Sequence, residues 1–478
     1  MGVGGRVIVV GAGISGLTAA FWLHRSGVDV TVLEGASWAG GTMKTLRDGG
    51  WLIETGPNSA LETTPLFGEM FDALGITGER LYADPASDKR YILRAGELHA
   101  LPMSPIPFFR SRLWTAQGKL RLLKEPFIGR AVREETIAEF VERRLGREFL
   151  DYAINPFVAG VYAGNPEQLS VRTAFPKLYA LEEKYGGLIR GMIGGARERR
   201  RRAEKAKDRA KMFSFVNGMQ TFPAAIAAKL GDRVKFESPV MSVSRVIDGD
   251  HAGMPGFALR CGSSGISSSR KADVVVLAVP ANAAARLVIP FSPGLSRALD
   301  HIYYPPVAEV FLGYERSRIA RDLEGFGYLV PAKEQRNVLG TIWSSSLFPG
   351  RSPQGYVALT TFVGGSRQPD LLSRDDAELL ALVRNDLGSI MGVRGEPAYR
   401  TIIRWDRAIP QYNLGYYEVL EMLERVEHDT PGLFFCSNYR GGIAVGDCVM
   451  NGERIARRIL DFLKTHDTAR QRSLSGGS

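Results

Sequence analysis

The stretch "VGAGISGLT" places glycines at 11, 13 and 16, and an acid, Glu34, closes the apolar run that follows. These types at this spacing suit the binding of phosphates and a ribose. Gly11 allows a tight turn, Gly13 lets the backbone approach a pyrophosphate, and Gly16 lets a helix pack close to a strand. Ala12, Ile14 and Ser15 complete the loop, whose N–H groups face an anion at the helix start. Glu34 falls about twenty residues on, where a carboxylate accepts both ribose hydroxyls and disfavours a 2′-phosphate. Further small residues follow: Gly40, Gly41 and Thr42 in "GASWAGGTMKT", then Gly56, Pro57, Asn58 and Ser59 in "ETGPNSALE". A glycine pair just after the acid lets the chain pass close over an extended ligand.

The elements that must hold these residues can be read from periodicity. Residues 7–10 form a short apolar run of strand type, 17–24 have a helical pattern closed by Gly27, and 28–33 form a second strand ending at Glu34. This βαβ context makes an otherwise weak glycine motif specific for a dinucleotide. Residues 234–243, with Val240, alternate as a strand pair, and 272–287 read as a buried strand followed by a turn at Pro280. The tail 431–460 reads as strand, glycine-rich loop and helix. In it Ala444, Val445 and Gly446 precede a helix whose positive end suits the negative charge of a reduced flavin. The Gly40–Gly41 doublet and this tail favour FAD over NAD. Residues 82–210 are helical by pattern, whereas 300–400 contain strand-like runs such as "VAEVFLGYE" and "GYVALTTFVGG", then a helix near 375–391.

Composition bounds the rest. The chain has 478 residues, 45% hydrophobic and 23% charged, as expected of a folded protein of two or three domains. Its three cysteines, Cys261, Cys436 and Cys448, have no zinc or disulfide spacing, and the six histidines are scattered, so no metal site is expected. No apolar window suits a transmembrane helix, and with the glycine motif so near Met1 no signal or transit peptide is expected.

The "GG" doublet after the acid resembles the flavin-containing amine oxidase superfamily, although Trp38 stands where that superfamily has Arg or Lys. The segments 87–102, 155–191, 323–353 and 360–372 resemble the oxygen-dependent protoporphyrinogen oxidase family, more its plant and mitochondrial form than the Gram-positive coproporphyrinogen enzymes. The likeness runs over roughly residues 5–463. It implies an α/β fold: a Rossmann-type FAD-binding domain from 1–81, 212–299 and 401–465, like p-hydroxybenzoate hydroxylase and the amine oxidases. Into it are inserted a mixed-sheet substrate domain from 82–95 and 300–400, and a helical membrane-binding domain from 96–211. It also implies FAD-dependent oxidation of protoporphyrinogen IX by oxygen with release of hydrogen peroxide, in haem and chlorophyll synthesis. By resemblance, Arg90 in "DKRY" pairs with a propionate, and Arg94, on the same face of a strand, is the substitute. Phe362 stacks on a ring, Leu329 and Ile342 clamp a pyrrole, and Phe157 and Gly160 form the other wall. Asn58 lies near flavin and substrate, Val240 touches the adenine end, and Trp405 belongs to the cofactor set. No dedicated acid or base is found.

The net charge of +10 owes much to "ARERRRRAEKAKDRAK" (196–211), with nine Lys or Arg against three acids. Without aromatics or a binding module it reads as a solvated loop or an anionic-lipid contact, and no nucleic acid is expected. In 104–123, Phe108, Phe109, Leu113 and Trp114 alternate with Arg110, Arg112 and Lys119, which suits an interfacial segment, a dimer contact or a core helix. The expected setting is peripheral, on the cytoplasmic face of a bacterial membrane. The expected partners are a second copy in a homodimer and a chelatase taking the product. Residues 466–478 read as a disordered tail. Alternatives are coproporphyrinogen III oxidation, a carotenoid desaturase or amine oxidase, and a flavin-binding subunit without turnover.

Overall fold

The computed structural model describes residues 5–199, 210–246, 256–263 and 266–475. The first apolar run becomes the strand Arg6–Val10, buried from Val7 onward because helices cover both sheet faces. It pairs in parallel with Asp29–Leu33 and Val274–Leu277, and Val234–Lys235 and Leu433–Phe435 complete a five-stranded parallel sheet. The connecting helix is Ile14–Arg25, longer than the 17–24 pattern because Gly13 already serves as its N-cap. A Cβ on Gly16 would sit 2.2 Å from the Gly11 carbonyl oxygen and 2.8 Å from the Ala278 Cβ. The C-terminal helix Val445–Ser475 lies against the same helix, where a Cβ on Gly452 would come within 2.8 Å of the Ser15 carbonyl. It runs through Ser475 rather than ending before 466, because no glycine or proline interrupts 453–475.

The second sheet has seven strands, in the order Tyr399–Trp405, Val307–Glu315, Tyr356–Gly364, Val338–Ile342, Gly327–Leu329, Arg90–Arg94 and Glu97–Ala100. All its pairings are antiparallel except Gly327–Leu329 with Arg90–Arg94. Helix Asp376–Met391 packs Leu379, Val383 and Leu387 against Ala308, Val310 and Leu312 on one face. Asp375 caps that helix by accepting the Glu378 N–H at 2.8 Å, and Gly392, at φ +67°, ends it. Period two turns Val307, Glu309 and Phe311 to the opposite face.

Two expected boundaries differ from the structure. The break at 95/96 falls in the turn of the hairpin Arg90–Ala100, so Glu97–Ala100 belongs to this sheet and not to a helical region. The break at 400/401 cuts the strand Tyr399–Trp405, which pairs along Val307–Gly313. Glu97–Ala100 is the edge strand of a local hairpin that joins the sheet through the parallel pairing of Arg90–Arg94 with Gly327–Leu329, and Tyr399–Trp405 pairs with a strand far away in sequence; local composition marks neither.

Residues 105–199 are otherwise helical. Their core contains a charged knot: Arg144, fully buried, pairs with Glu125 and Glu182 at 2.8 Å each, and Arg143 pairs with Glu135 and Glu182. Burial raises the Glu182 pKa, but hydrogen bonds from Arg144, Ala131 and Arg143 outweigh it and hold the carboxyl below its usual range. Of the aromatic and basic segment 104–123, Leu113 and Trp114 prove to be core: Trp114 stacks on Phe149 at 4.9 Å. Phe109 of that set is left in water, together with Met103, Ile106, Leu120, Leu123 and Phe127. Most of the basic run 196–211, residues 200–209, lies outside the described residues.

Candidate functional site

One cavity of about 2360 Å³ runs between the two sheets. Ligand pockets of ordinary size hold roughly 300–1,000 Å³, so this one has room for a dinucleotide and a second large ligand end to end. Its two ends are built differently.

The nucleotide end is built from backbone. Gly11 (φ +105°) turns the chain out of the first strand, and a Cβ on it would meet the Ala278 carbonyl at 2.7 Å. Gly13 faces open space, with nothing within 4 Å of where a Cβ would stand. No side chain caps helix Ile14–Arg25, and its first turn has no acid, so its first N–H groups are left for an anion in the cavity. The Gly40–Gly41 doublet folds over this loop: the Gly40 N–H donates to the Ala12 carbonyl at 2.8 Å, and a Cβ on Gly41 would stand 3.5 Å from the Gly13 Cα. Glu34 accepts the Ala12 and Ala36 N–H groups at 2.6 and 2.9 Å, which fixes the carboxylate at the cavity wall with lone pairs to spare for ribose hydroxyls. Trp38 also lines the wall, and Lys44 lies over its ring at 4.3 Å, which returns a positive charge to the place where the superfamily has Arg or Lys.

Gly11, Gly13, Ile14, Ser15, Glu34, Gly40, Gly41, Thr42, Gly56, Pro57, Asn58, Ser59, Val240, Trp405, Ala444, Val445 and Gly446 all line the cavity. Ala12 and Gly16 do not. Ala12 orients Glu34, and Gly16 serves helix packing. Trp405 reaches across from the second sheet and donates its Nε1–H to the Thr55 carbonyl at 2.6 Å, which pins the 56–59 turn. Asn58 donates to the Gly56 carbonyl at 3.1 Å within that turn. An uncapped helix start, a doublet closing on Gly13 and a ribose acid in one wall fit FAD.

The other end is built from side chains across the seven-stranded sheet. Its register aligns two rows. Arg90, Gly327 and Ile342 form one; Ile92, Leu329, Gly340, Phe362 and Glu309 form the next. All of these line the cavity, and Phe157 and Gly160 of helix Asn155–Tyr162 face them. Gly160 is required there: a Cβ would stand 2.5 Å from the Leu329 Cδ2. Arg90 lies over Phe326 at 5.5 Å, and burial, opposed by Asp88, lowers its pKa. Among the described residues it makes no ion pair, so its guanidinium fork is available to a carboxylate. Arg94 is a correction. Its guanidinium pairs with Glu148 at 2.8 Å, donates to the Leu113 carbonyl and lies over Tyr152, away from the cavity lining. The strand does put both arginines on one face, but the hairpin's outer end meets the helical region there.

Sequence reading missed two acids. Glu309, 4% exposed, lines the cavity, and its Oε2 has no hydrogen-bond partner. Burial, with the charge of Glu54 behind it, raises its pKa well above the usual carboxylate range. Glu54 is buried as well and accepts from the Thr45 hydroxyl at 2.7 Å and the Met219 N–H at 2.9 Å, with Arg351 at 3.8 Å. Burial pushes its pKa up to about 7 against these partners. The signal was present in "VAEVFLGYE", where Glu309 interrupts an apolar run that ends at the exposed Glu315. Cys448 also lines the cavity, but burial pushes its thiol up to about 11, so it stays un-ionised.

The parallel dinucleotide sheet and the sheet-roofed cavity define a flavin-dependent oxidoreductase. Comparison with known proteins agrees: residues 14–460 match the family described as flavin containing amine oxidoreductase. The chain belongs to that family and, within it, to the protoporphyrinogen oxidases. It is 34% identical to protoporphyrinogen oxidase 2, chloroplastic/mitochondrial, of Arabidopsis thaliana, over 97% of this chain and 95% of the relative. It is 26% identical to coproporphyrinogen III oxidase of Bacillus subtilis, over 96% and 98%. A crystal structure from Exiguobacterium sp. shares the fold with a TM-score of 0.76 at 24% identity, covering 95% of this chain and 98% of that one.

Proposed function

We propose that this protein oxidises protoporphyrinogen IX to protoporphyrin IX with oxygen as acceptor, releasing hydrogen peroxide, as a step of tetrapyrrole synthesis. The observation that carries this reading is the pairing of one partly desolvated arginine, without an ion pair among the described residues, with an apolar slot at the far end of a flavin cleft. FAD, when bound, supplies two-electron chemistry, taking a hydride equivalent from the substrate and passing electrons to oxygen. The chain's part is placement. Arg90 holds a propionate and sets the macrocycle's rotation, Leu329 and Ile342 press one face of a pyrrole, and Phe362 stacks beside them. Phe157 and Gly160 close the opposite wall and exclude water from the reacting edge.

The number of carboxylates separates the two porphyrinogens. Protoporphyrinogen carries two and coproporphyrinogen four. The other cations on the cavity lining, Lys211 and Arg286, are exposed, so Arg90 is the one desolvated anchor among the described lining residues. The test is an aerobic assay of the FAD-loaded protein with each porphyrinogen, read by porphyrin fluorescence. Turnover of protoporphyrinogen at the higher kcat/KM is expected; porphyrin from neither substrate would overturn the reading.

The same proposal includes a peripheral seat on the cytoplasmic face of a membrane. Met103, exposed and also lining the cavity, begins a segment that exposes Ile106, Phe109, Leu120, Leu123 and Phe127, with Arg110, Arg112 and Lys119 interspersed in sequence. No helix among the described residues is long and apolar enough to cross a membrane. Co-sedimentation with anionic vesicles, reduced in Phe109→Glu/Phe127→Glu, is the expected result. Hand-over to a chelatase at this face and pairing into a homodimer complete the proposal, and analytical ultracentrifugation tests the latter.

A further inference from the structure

Glu309 is the one charged residue in the row Ile92, Leu329, Gly340, Phe362 and Glu309, directly in register with Phe362. Burying a carboxyl without a partner is costly, and the sheet offers no compensating contact to Oε2 among the described residues. An apolar residue at 309 would satisfy the strand, whose neighbours Val307, Ala308, Val310 and Phe311 are all apolar and buried. A group kept at such a cost in a cavity wall points to a ligand; of the other acids on the described lining, Glu34 holds the Ala12 and Ala36 N–H groups at the nucleotide end and Asp84 and Asp88 are exposed, which leaves Glu309 as the buried carboxyl in the slot.

We propose that Glu309 is the general base of the reaction, the carboxylate that takes the nitrogen-bound proton each time the macrocycle loses two hydrogens. The inference rests on the porphyrinogen reading above. In each such step one C–H bond breaks and its electron pair leaves with the hydride for the flavin. One N–H bond then breaks, its electron pair stays on nitrogen and neutralises the ring cation, and the proton forms an O–H bond on Glu309; over the three rounds one meso C–H proton also shifts to nitrogen by tautomerisation, so that four C–H and two N–H hydrogens are lost in all. Reduction of oxygen to hydrogen peroxide consumes the hydride equivalent and this proton, so the carboxylate is regenerated and the books balance.

The setting tunes the base. From the neighbouring strands Glu309 is in register with Phe362 and Ile403, which carry no charge. The charge that bears on it is Glu54, with Arg351 behind that acid at 3.8 Å. A buried carboxyl with a second acid nearby binds a proton more tightly than an exposed one, and a base is most effective when its proton affinity is matched to the working pH. The active fraction is the deprotonated one, so kcat/KM should rise with pH through the Glu309 transition.

The test compares wild type, Glu309→Gln and Glu54→Gln, all loaded with FAD. Glu309→Gln is expected to bind FAD normally, to lose about 100-fold in kcat/KM and to lose the acidic limb of the pH profile. Glu54→Gln removes the like charge and should move that limb to lower pH with its plateau kept within a few-fold. A readout without turnover accompanies these: infrared difference spectra of the FAD-loaded, substrate-free protein across the same pH range. Wild type should show the carbonyl stretch of a buried protonated carboxyl, titrating with the kinetic limb and missing in Glu309→Gln. An unchanged kcat/KM and limb in Glu309→Gln, or a carboxyl band that titrates with the limb and is lost in Glu54→Gln but not in Glu309→Gln, overturns the proposal. If Glu309→Gln does not fold, an unmoved limb in Glu54→Gln overturns it instead. Wild type inactive on both porphyrinogens defeats the substrate reading and this proposal together, whereas an active wild type with an indifferent Glu309→Gln defeats only this one.

Discussion

The two ends of the cavity recognise their ligands by opposite means. The nucleotide end offers backbone: glycines without Cβ atoms, an uncapped helix start, and a doublet laid over Gly13. The sheet end offers side chains, in two rows contributed by strands more than 200 residues apart, from Arg90 to Glu309. Backbone recognition needs contiguous residues with fixed spacing, because one turn must supply all the donors. Side-chain recognition needs only the right register, so its residues scatter along the chain. The difference predicts that variants will separate cleanly into those that lose FAD and those that keep it.

The sharpest way to break that separation is Gly13→Val. Gly13 is at φ −68° with free space beyond it, so the fold should tolerate the side chain. The side chain would then occupy the place of a phosphate. Losing two charge-assisted bonds of about 2 kcal/mol each weakens FAD by about 1,000-fold. Flavin absorbance per protein should fall to near zero while the melting temperature of the FAD-free protein is unchanged. Retained flavin would mean that the phosphates do not lie over this helix.

Glu54 sits at the seam, held by Thr45 and Met219 on one side and near Arg351 on the other. Its folded pKa, about 7, lies above the usual carboxylate value. Below roughly pH 4.5 both folded and unfolded chains hold the proton, and there is no effect. Between that value and about 7 the unfolded chain releases its proton first, so stability falls as pH rises. Above 7 the loss is constant at about 3 kcal/mol. Denaturant melts of wild type and Glu54→Gln should therefore diverge between pH 5 and 7 in favour of the variant, and parallel curves would show that the seam carries no such strain.

How much of this was legible follows the same division. The glycine motif, Glu34 and the tail loop could be read directly because their meaning is local. The slot residues Phe362, Leu329, Ile342 and Arg90 were reached through family likeness, and no periodicity singles them out. Glu309 escaped both routes. Its strand reads as ordinary core, and only the alternation that turns 307, 309 and 311 to the cavity side exposes the acid as out of place. Trp114 was left open by its neighbours, which suit an interface or a core equally, and the Phe149 ring that covers it decides for the core.

Arg90→Ala tests the sheet end alone. The loss of a charge-assisted contact to a carboxylate is worth about 2 kcal/mol, or about 30-fold in kcat/KM, mostly through KM. FAD content should stay at the wild-type level. Arg94→Ala should instead lower the melting temperature and leave KM alone, since its partners are Glu148 and the Leu113 carbonyl.

Gly160→Ala should have the smallest effect and is the most specific probe of the slot. The new methyl would stand 2.5 Å from the Leu329 Cδ2, the far end of a flexible side chain, so Leu329 should rotate into the slot rather than the helix move. The displaced methyl narrows the ring site by about 1 kcal/mol, or about 5-fold in KM, with flavin content and melting temperature near wild type. Trimming the partner should undo it: Gly160→Ala/Leu329→Ala should bind the macrocycle better than the sum of the single variants predicts. That coupling is expected only for residues that share one wall. Strict additivity would place Gly160 and Leu329 on separate surfaces and break the row-and-wall geometry from which the substrate reading was built.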